Sequence, residues 1–186
     1  MEILNAARVL FAERGFAATS MAAIAEEASA AVQTIYDSVG SKAAVLASMT
    51  ELIEQPVAEI WVQSETTIEA KDMLALAIRL TRTINEQSGD ILALLSSAAS
   101  TEQSAADALR EGKRNHIEGT RRWIEMMAER KMLNPAVTVD YAATTFGILT
   151  VWTVWRELTV DFGLSYDQAE GWITDSLSQL ILPNVN

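Results

Sequence analysis

Residues 29–42 read SAAVQTIYDSVGSK, and this stretch decides how the start of the chain folds. Apolar side chains recur at the spacing of one helix face, at Val32, Ile35, Tyr36 and Val39. The opposite face of this predicted helix is polar and carries Gln33, Thr34, Asp37 and Ser38. Gly40 ends the helix, and Ser41 can cap a following helix that we expect to run to about Gln55-Pro56. The polar face either contacts a partner or is an ordinary solvated surface.

Two more short helices are predicted before this stretch. The first has Ile3, Ala7, Leu10 and Phe11 on one face and ends at Gly15. The second follows a possible N-cap at Thr19-Ser20 and has Met21, Ile24, Ala25 and Ala28 on one face. The turn Ser29-Ala30-Ala31 then joins the second helix to the third. This pair has the proportions of a helix-turn-helix.

The rest of the chain is also predicted to be helical. Hydrophobic residues make up 49% of 186 residues, enough to bury a core, and 8 Gly and 3 Pro are few for an all-β protein. We expect breaks at Ser88-Gly89-Asp90, Asn134-Pro135 and Asp161-Phe162-Gly163. Helical periodicity predicts six further helices, at residues 57–63, 68–87, 90–100, 102–131, 138–160 and 166–182. The fold class is therefore all-α.

The charge of the chain limits its partners. The formal net charge is −11, and residues 1–50 alone hold three basic and five acidic residues, a net of −2. Nucleic-acid binding normally needs cations, so any DNA-binding interpretation must accommodate an acidic protein. No apolar run of about 18 residues predicts a membrane span, and the N-terminus lacks the basic start of a signal peptide. The absence of Cys excludes disulfides, and we expect a cytoplasmic protein with no membrane partner.

The first 50 residues resemble the TetR-type (TetR/AcrR) bacterial transcriptional regulators. The resemblance lies in ILNAARVLFAERGFAATSMAAIAEEA at residues 3–28, TIY at 34–36 and GSKAAVL at 40–46. It covers about a quarter of the chain, and the remainder matches only in length and helical content. It implies an all-α homodimer with a three-helix DNA-binding bundle, containing the helix-turn-helix, at residues 1–45. Residues 46–186 would then be a helical ligand-binding and dimerisation domain.

The resemblance also implies partners and site residues. The helix-turn-helix would bind an operator in double-stranded DNA, and a small effector in the C-terminal domain would release it. Carried over by matching positions, the predicted DNA-binding residues are Thr19, Ser20, Val32, Gln33, Thr34, Tyr36, Asp37 and Lys42. Helix N-termini and hydroxyls can hold phosphates with few full cations, and Gln33 can pair with adenine in the major groove.

Several residues depart from the family pattern. The turn that is usually Gly-Val-Ser is Ser29-Ala30-Ala31 here. The missing glycine makes the turn costlier if it needs a positive φ, and the missing serine removes an N-cap worth about 1 kcal/mol. Asp37 puts an acid on the predicted DNA face, where it could accept from a cytosine amine but would repel phosphates. A protein of this fold that binds small molecules but has lost DNA binding is therefore the alternative function.

Two C-terminal helices are predicted to form the dimer interface. The segment FGILTVWTVWREL at residues 146–158 is apolar nearly all round its helix, which predicts burial on most sides. The final helix has a stripe of Trp172, Ile173, Leu177, Leu180 and Ile181. Two such helices from each subunit can form a four-helix interface. The alternative is the core of a monomer.

Large, adaptable side chains predict where an effector would bind. The candidates lie on helices expected to surround a central cavity, and they are Trp61, Met73, Leu76, Leu94, Trp123, Met126, Met127, Phe146 and Trp152. Each could equally be plain core. As a set they predict a small apolar or aromatic effector.

No catalytic, cofactor or metal site is predicted. His116 is the single histidine and lies in a charged stretch, which predicts a surface position. One histidine without cysteines cannot build a zinc site, and no nucleophile, phosphate-binding or dinucleotide motif occurs. An enzyme or a protein-interaction bundle is thus the least supported function.

Overall fold

The computed structural model describes residues 1–53 and 57–183, and the described residues contain helices and no strand. In chain order the helices are α1 (Glu2–Arg14), α2 (Met21–Glu27), α3 (Val32–Ser38), α4 (Lys42–Ser48), α5 (Val57–Thr66), α6 (Ala70–Ala98), α7 (Gln103–Glu129), α8 (Val139–Thr150), α9 (Trp152–Arg156) and α10 (Tyr166–Ile181). The two longest of these helices are α6 with 29 residues and α7 with 27, whereas α2, α3 and α4 have 7 each. The all-α fold class and the three short N-terminal helices are confirmed.

The chain divides into two compact units. Unit 1 contains residues 1–54 and 87–113, and unit 2 contains residues 55–86 and 114–186. Both α6 and α7 therefore contribute residues to each unit. This is a division by packing, and the functional boundary between residues 45 and 46 stays a prediction.

Unit 1 has its own hydrophobic core. The short helices contribute Leu10, Phe11, Ile24, Ile35 and Leu46, which are all at most 2% exposed. Ridges of α6 and α7 complete this core with Ile91, Leu95, Ala98 and Ala105. Three short helices bury little apolar surface by themselves, so the later helices supply what the first 53 residues lack.

An ion pair adds to the packing of unit 1. The Arg8 side chain on α1 donates through Nε and a terminal nitrogen to the Asp90 carboxylate on α6, at 2.7 and 2.6 Å. The same guanidinium also donates to the Gln87 carbonyl at 2.6 Å. Bidentate arginine–carboxylate pairs are among the stronger polar contacts in proteins. The hydrogen bonds to Asp90 raise the pKa of Arg8 above its ordinary value.

The turn between α2 and α3 contains a positive φ and lacks a side-chain N-cap, and both features are unfavourable for the residues present. Ser29 adopts a left-handed backbone with φ 50°, a conformation that favours glycine. Ala31 occupies the N-cap of α3 and provides no side-chain cap, whereas Ser20 caps α2 by accepting from the Ala23 N–H at 3.1 Å. The missing glycine therefore leaves Ser29 in a strained backbone conformation, and the missing serine leaves α3 without a side-chain N-cap.

Unit 2 is held by a second core and by a charged cluster. The core includes Met73, Ile78, Phe146, Trp155 and Ile173, each at most 2% exposed. At its edge, Arg82 on α6 contacts three carboxylates, which are Glu86 at 3.1 Å, Asp167 at 2.7 Å and Glu170 at 2.5 Å. The bond to Glu170 contributes most to a raised pKa of Arg82, so the guanidinium stays charged.

The predicted break at Ser88-Gly89-Asp90 is wrong, because α6 runs through it without interruption. A glycine inside a helix costs about 1 kcal/mol relative to alanine. Continuing the helix buries Ile91 and Leu95, each worth about 1.5–3 kcal/mol. Burial therefore outweighs the local turn propensity of these three residues.

Two predicted long helices are shorter in the structure. The helix expected over residues 138–160 stops at Thr150, and Val151 is extended (φ −65°, ψ 148°) before α9 and a single π-helical turn over Glu157–Asp161. Residues with branched Cβ atoms cluster around this break and disfavour continuous helix. The fourth helix ends at Ser48, and a 3₁₀ turn follows over Met49–Leu52. Its predicted end at Gln55-Pro56 lies outside the described residues.

Other boundaries agree with the sequence to within a few residues. The helices predicted at 57–63, 102–131 and 166–182 correspond to α5, α7 and α10. The predicted break at Asp161-Phe162-Gly163 is confirmed, and Gly163 has φ 69° there. The N-terminus of α10 is fixed by a capping box between Ser165 and Gln168.

Candidate functional site

The helix α3 presents a wide exposed face. Ile35 is fully buried in the core of unit 1 and anchors the helix, while Val39 beyond its end is half-buried. Val32 and Tyr36, which the periodicity placed on the same apolar face, are 38% and 48% exposed. The exposed face of α3 is therefore wider than the predicted polar face. Its exposed positions are Val32, Gln33, Thr34, Tyr36, Asp37 and Ser38.

Two polar side chains of this face bind each other. The Gln33 amide nitrogen donates to Asp37 Oδ1 at 2.8 Å, one helical turn away. This bond uses one of the two Gln33 amide hydrogens and leaves the other as a donor, with the amide oxygen and the rest of the Asp37 carboxylate as acceptors. Hydrogen-bond acceptors complement the amino groups of adenine and cytosine at base edges in the major groove. The pairing with adenine predicted for Gln33 needs one amide hydrogen and the amide oxygen, so it stays a prediction.

Thr19 does not fit the role predicted for it. Its side chain is 2% exposed, and its hydroxyl donates to the carbonyls of Gly15 at 2.9 Å and Leu10 at 3.2 Å. A buried hydroxyl bound to two backbone acceptors cannot reach a phosphate without rearrangement. The structure thus removes the Thr19 side chain from the predicted DNA-facing set, whereas its neighbour Ser20 is exposed at the N-cap of α2.

Lys42 is half-buried and has partners within the protein. Its Nζ donates to the carbonyls of Phe16 at 2.8 Å and Thr19 at 2.9 Å, with Ala17 at 3.3 Å, and lies 4.5 Å from the centroid of the Phe16 ring. The ammonium group therefore satisfies backbone carbonyls of the loop between α1 and α2 by hydrogen bonds and makes a cation–π contact with the Phe16 ring. The DNA contact predicted for Lys42 stays a prediction, and in the structure the side chain ties the start of α4 to the loop between α1 and α2.

Seven of the nine predicted effector residues lie in the core of unit 2 or pack against it. They are Trp61, Met73, Leu76, Trp123, Met126, Met127 and Phe146. Leu94 instead packs against the core of unit 1, because the uninterrupted α6 carries it there. Trp152 is half-buried and follows the break at Val151. The structure therefore separates Leu94 from the predicted set and does not place Trp152 in the described core.

A pair of indoles forms the aromatic centre of the remaining set. The rings of Trp61 on α5 and Trp123 on α7 are 5.0 Å apart, centroid to centroid, and inclined at 56°. Trp61 is half-buried, whereas Trp123 is 4% exposed. Sequence reasoning missed Ser64, which is buried one turn after Trp61; its hydroxyl donates to the Trp61 carbonyl at 2.7 Å and lies 3.9 Å from the Met126 sulfur. No spacing motif marks such a serine in the sequence.

His116 remains partly exposed, as a surface position predicts, but it also has a partner within the protein. It is half-buried, and its Nε2 lies 2.9 Å from the Gly147 carbonyl, which joins α7 to α8 within unit 2. The described residues contain no cluster of acidic or histidine side chains that could hold a metal. Among the same residues, no helix is long and apolar enough to cross a membrane.

The helices α8 and α10 expose apolar side chains on their outer faces. On α10, Ile173, Leu177 and Ile181 point into the core, while Trp172 and Leu180 are 47% and 41% exposed. On α8, Ala142 and Phe146 are buried while the outer face exposes Tyr141 and Ile148. The two helices contact each other. The predicted stripe of α10 is therefore split between an inner and an outer face.

Comparison with known proteins bears on both units. The profile of bacterial regulatory proteins of the tetR family matches residues 3–49, so the resemblance noted in the sequence is confirmed. No curated protein matches the chain at the level of sequence.

Solved structures share the fold over nearly the whole chain. The complex of SmeT with triclosan has a TM-score of 0.77 at 16% identity, covering 98% of this chain and 91% of SmeT. The fatty acid degradation regulator FadR from Bacillus halodurans has a TM-score of 0.73 at 17% identity, with 95% and 92% covered. FadR from Bacillus subtilis in complex with stearoyl-CoA has a TM-score of 0.69 at 18% identity, with 95% and 96% covered. The chain thus has the fold of TetR-family transcriptional regulators, and such regulators are not enzymes.

Proposed function

We propose that this chain, whose fold is that of a TetR-family regulator, is a cytoplasmic transcriptional repressor that a small apolar effector releases from its operator. The observation that carries this proposal is the exposed face of α3, which Ile35 anchors in a core of its own. A solvated connector would not need so firm an anchor. In a helix-turn-helix, the second helix of the pair reads the major groove.

DNA binding by an acidic chain depends on a few local groups. Of the three basic residues in the first 50, Arg8 is bound to Asp90 and Lys42 to loop carbonyls, while Arg14 is exposed at the end of α1. Hydroxyls and backbone N–H groups therefore carry most of the phosphate contacts. Tyr36 is the best placed of these, since its ring is half exposed beside the anchored Ile35. We expect a shallow salt dependence relative to basic DNA-binding proteins.

Two copies are required to read a palindromic operator, and the outer faces of α8 and α10 fit this requirement. Exposed Trp172, Leu180 and Ile148 form an apolar surface on neighbouring helices. Pairing this surface with its own copy would bury it in a four-helix arrangement. The homodimer would then present two α3 helices to successive turns of the duplex.

Effector binding would act through a change of population. An effector held beside Trp61 and Trp123 would favour dimers whose α3 helices no longer fit two successive major grooves. The triclosan complex of SmeT and the apolar acyl chain of the stearoyl-CoA bound to FadR support an apolar ligand by analogy of fold.

The test begins by selecting DNA sequences that bind the protein from a random pool. Tyr36→Ala should weaken binding to the selected site about tenfold, the value of roughly one hydrogen bond, with unchanged helix content by circular dichroism. Phe162→Ala is the matched control, because Phe162 is also an exposed aromatic residue but lies in unit 2. Its affinity should equal that of the wild type.

Two results would contradict the proposal. Equal affinity of Tyr36→Ala and the wild type would remove α3 from the DNA contact. Failure to enrich any DNA would favour the alternative, a helical protein of this fold that binds small molecules but has lost DNA binding.

A further inference from the structure

The indole of Trp123 is an unsatisfied hydrogen-bond donor inside unit 2. Its Nε1 is buried and has no hydrogen-bond partner among the described residues. The second buried indole of this core provides a comparison, because Trp155 is 1% exposed and its Nε1 donates to Thr81 Oγ1 at 3.3 Å. The core of unit 2 therefore satisfies one buried indole and leaves the other without a partner.

An unsatisfied buried donor is costly. Leaving such a group without a partner costs about 1–3 kcal/mol, and the large majority of buried polar atoms in proteins are bonded. A phenylalanine at position 123 would keep an aromatic ring in the core without this cost. Packing in the unliganded protein therefore does not explain the N–H group of Trp123, and a role in ligand binding would.

The surroundings of Trp123 can rearrange. Trp61 packs against it and is only half-buried, so Trp61 is the member of the pair that can move aside with less loss of burial. Met126 and Met127 are adjacent on α7, and methionine side chains adapt to differently shaped neighbours. Displacement of Trp61 would open the environment of Trp123 Nε1 to an apolar ligand.

We propose that Trp123 Nε1 selects the effector, by donating a hydrogen bond to a neutral acceptor oxygen on an otherwise apolar or aromatic molecule. This inference rests on the proposed function, because it assumes that unit 2 binds an effector. The apolar body of the ligand replaces contacts with Trp61 and the methionines, and a carbonyl-type oxygen satisfies the indole. A neutral oxygen is required because burying an isolated charge among these side chains would be far more costly than burying a ketone.

The test compares two probes of the same shape, acetophenone and α-methylstyrene, in which a methylene group replaces the carbonyl oxygen. The indole N–H signals of the 5 tryptophans are resolved by nitrogen-15 NMR, and Trp123→Phe identifies the signal of Trp123. Acetophenone should shift the Trp123 indole proton downfield, whereas α-methylstyrene should not. The Trp155 signal is the internal control, because its N–H already has an acceptor and should not shift downfield with either probe.

Affinity gives a second, independent measurement. The ratio of acetophenone affinity to α-methylstyrene affinity should fall about tenfold on Trp123→Phe, the loss of roughly one hydrogen bond. Trp61→Phe is the control, since it trims a lining ring without removing the donor and should change both affinities alike. Binding of both probes with an unmoved Trp123 signal and an unchanged ratio would overturn this inference alone. Binding of neither probe would overturn it together with the proposed aromatic effector.

Discussion

Ser29 shows at the scale of one residue how the helix-turn-helix is built against a local preference. Its left-handed backbone, with φ 50°, lets the chain turn between α2 and α3. A side chain in this region costs about 1–2 kcal/mol. Burial of Ile24 and Ile35 on either side of the turn compensates for this strain. The turn is therefore held by its neighbours and not by its own sequence.

Ser29→Gly should stabilise the protein. Relief of the left-handed strain exceeds the additional backbone entropy that glycine loses on folding, which is about 0.5–1 kcal/mol. We expect the free energy of unfolding to rise by up to about 1 kcal/mol, measured by urea denaturation. Ala30→Gly is the control, because Ala30 has no positive φ and should lose about 0.5–1 kcal/mol. A destabilised Ser29→Gly would mean that the serine side chain contributes more than its backbone strain costs.

Residue roles were the least predictable part of the candidate site. The sequence indicated correctly that α3 carries an exposed polar face, because helical periodicity is a local property. It could not show that Lys42 reaches the carbonyls of Phe16 and Thr19, since these partners are more than 20 residues away along the chain. The same holds for the buried hydroxyl of Thr19 and for the unsatisfied indole of Trp123. Such roles depend on tertiary contacts that spacing does not encode.

At the scale of elements, α6 shows why helix existence was easier to predict than helix ends. The periodicity on both sides of Ser88-Gly89-Asp90 was recognised, but the turn propensity of these residues suggested two helices. Asp90 is instead bound to Arg8, and Ser88 is buried. The break at Val151 was missed for the opposite reason, because neither Gly nor Pro lies next to Val151 and the apolar run gave no local signal of a stop.

The charged cluster at Arg82 fixes α6 against α10 within unit 2. Arg82→Ala would leave three carboxylates without their shared cation, and Glu170 among them is only 22% exposed at its side chain. We expect the free energy of unfolding to fall by about 2 kcal/mol, measured by urea denaturation. Arg79→Ala on the same helix is the control, since Arg79 is exposed, and it should change stability by less than about 0.5 kcal/mol. Equal effects of the two substitutions would show that the cluster contributes nothing beyond helix propensity.

At the scale of the whole molecule, the core of unit 1 is assembled from two distant parts of the sequence. Residues 3–49 match the tetR-family profile, but Ile91, Leu95 and Ala105 belong to the same hydrophobic core as Leu10 and Leu46. A fragment of residues 1–53 should therefore remain largely unfolded. Circular dichroism should show little helix and no cooperative thermal transition, in contrast to the full chain. A fragment with a cooperative transition would show that the first helices form a sufficient core alone.

This shared core has a consequence for engineering chimeric regulators. A graft that moves only helices α1 to α4 from this chain to another regulator would divide a hydrophobic core, since Ile91, Leu95, Ala98 and Ala105 would stay behind. The transplanted helices would pack against side chains of the host whose shapes do not match their own core residues. Transfer of operator preference should succeed more readily by exchanging outward residues of α3, such as Gln33, Thr34 and Asp37, on an intact host. The part of this protein that can be exchanged between regulators is therefore the exposed surface of α3 and not a continuous N-terminal segment.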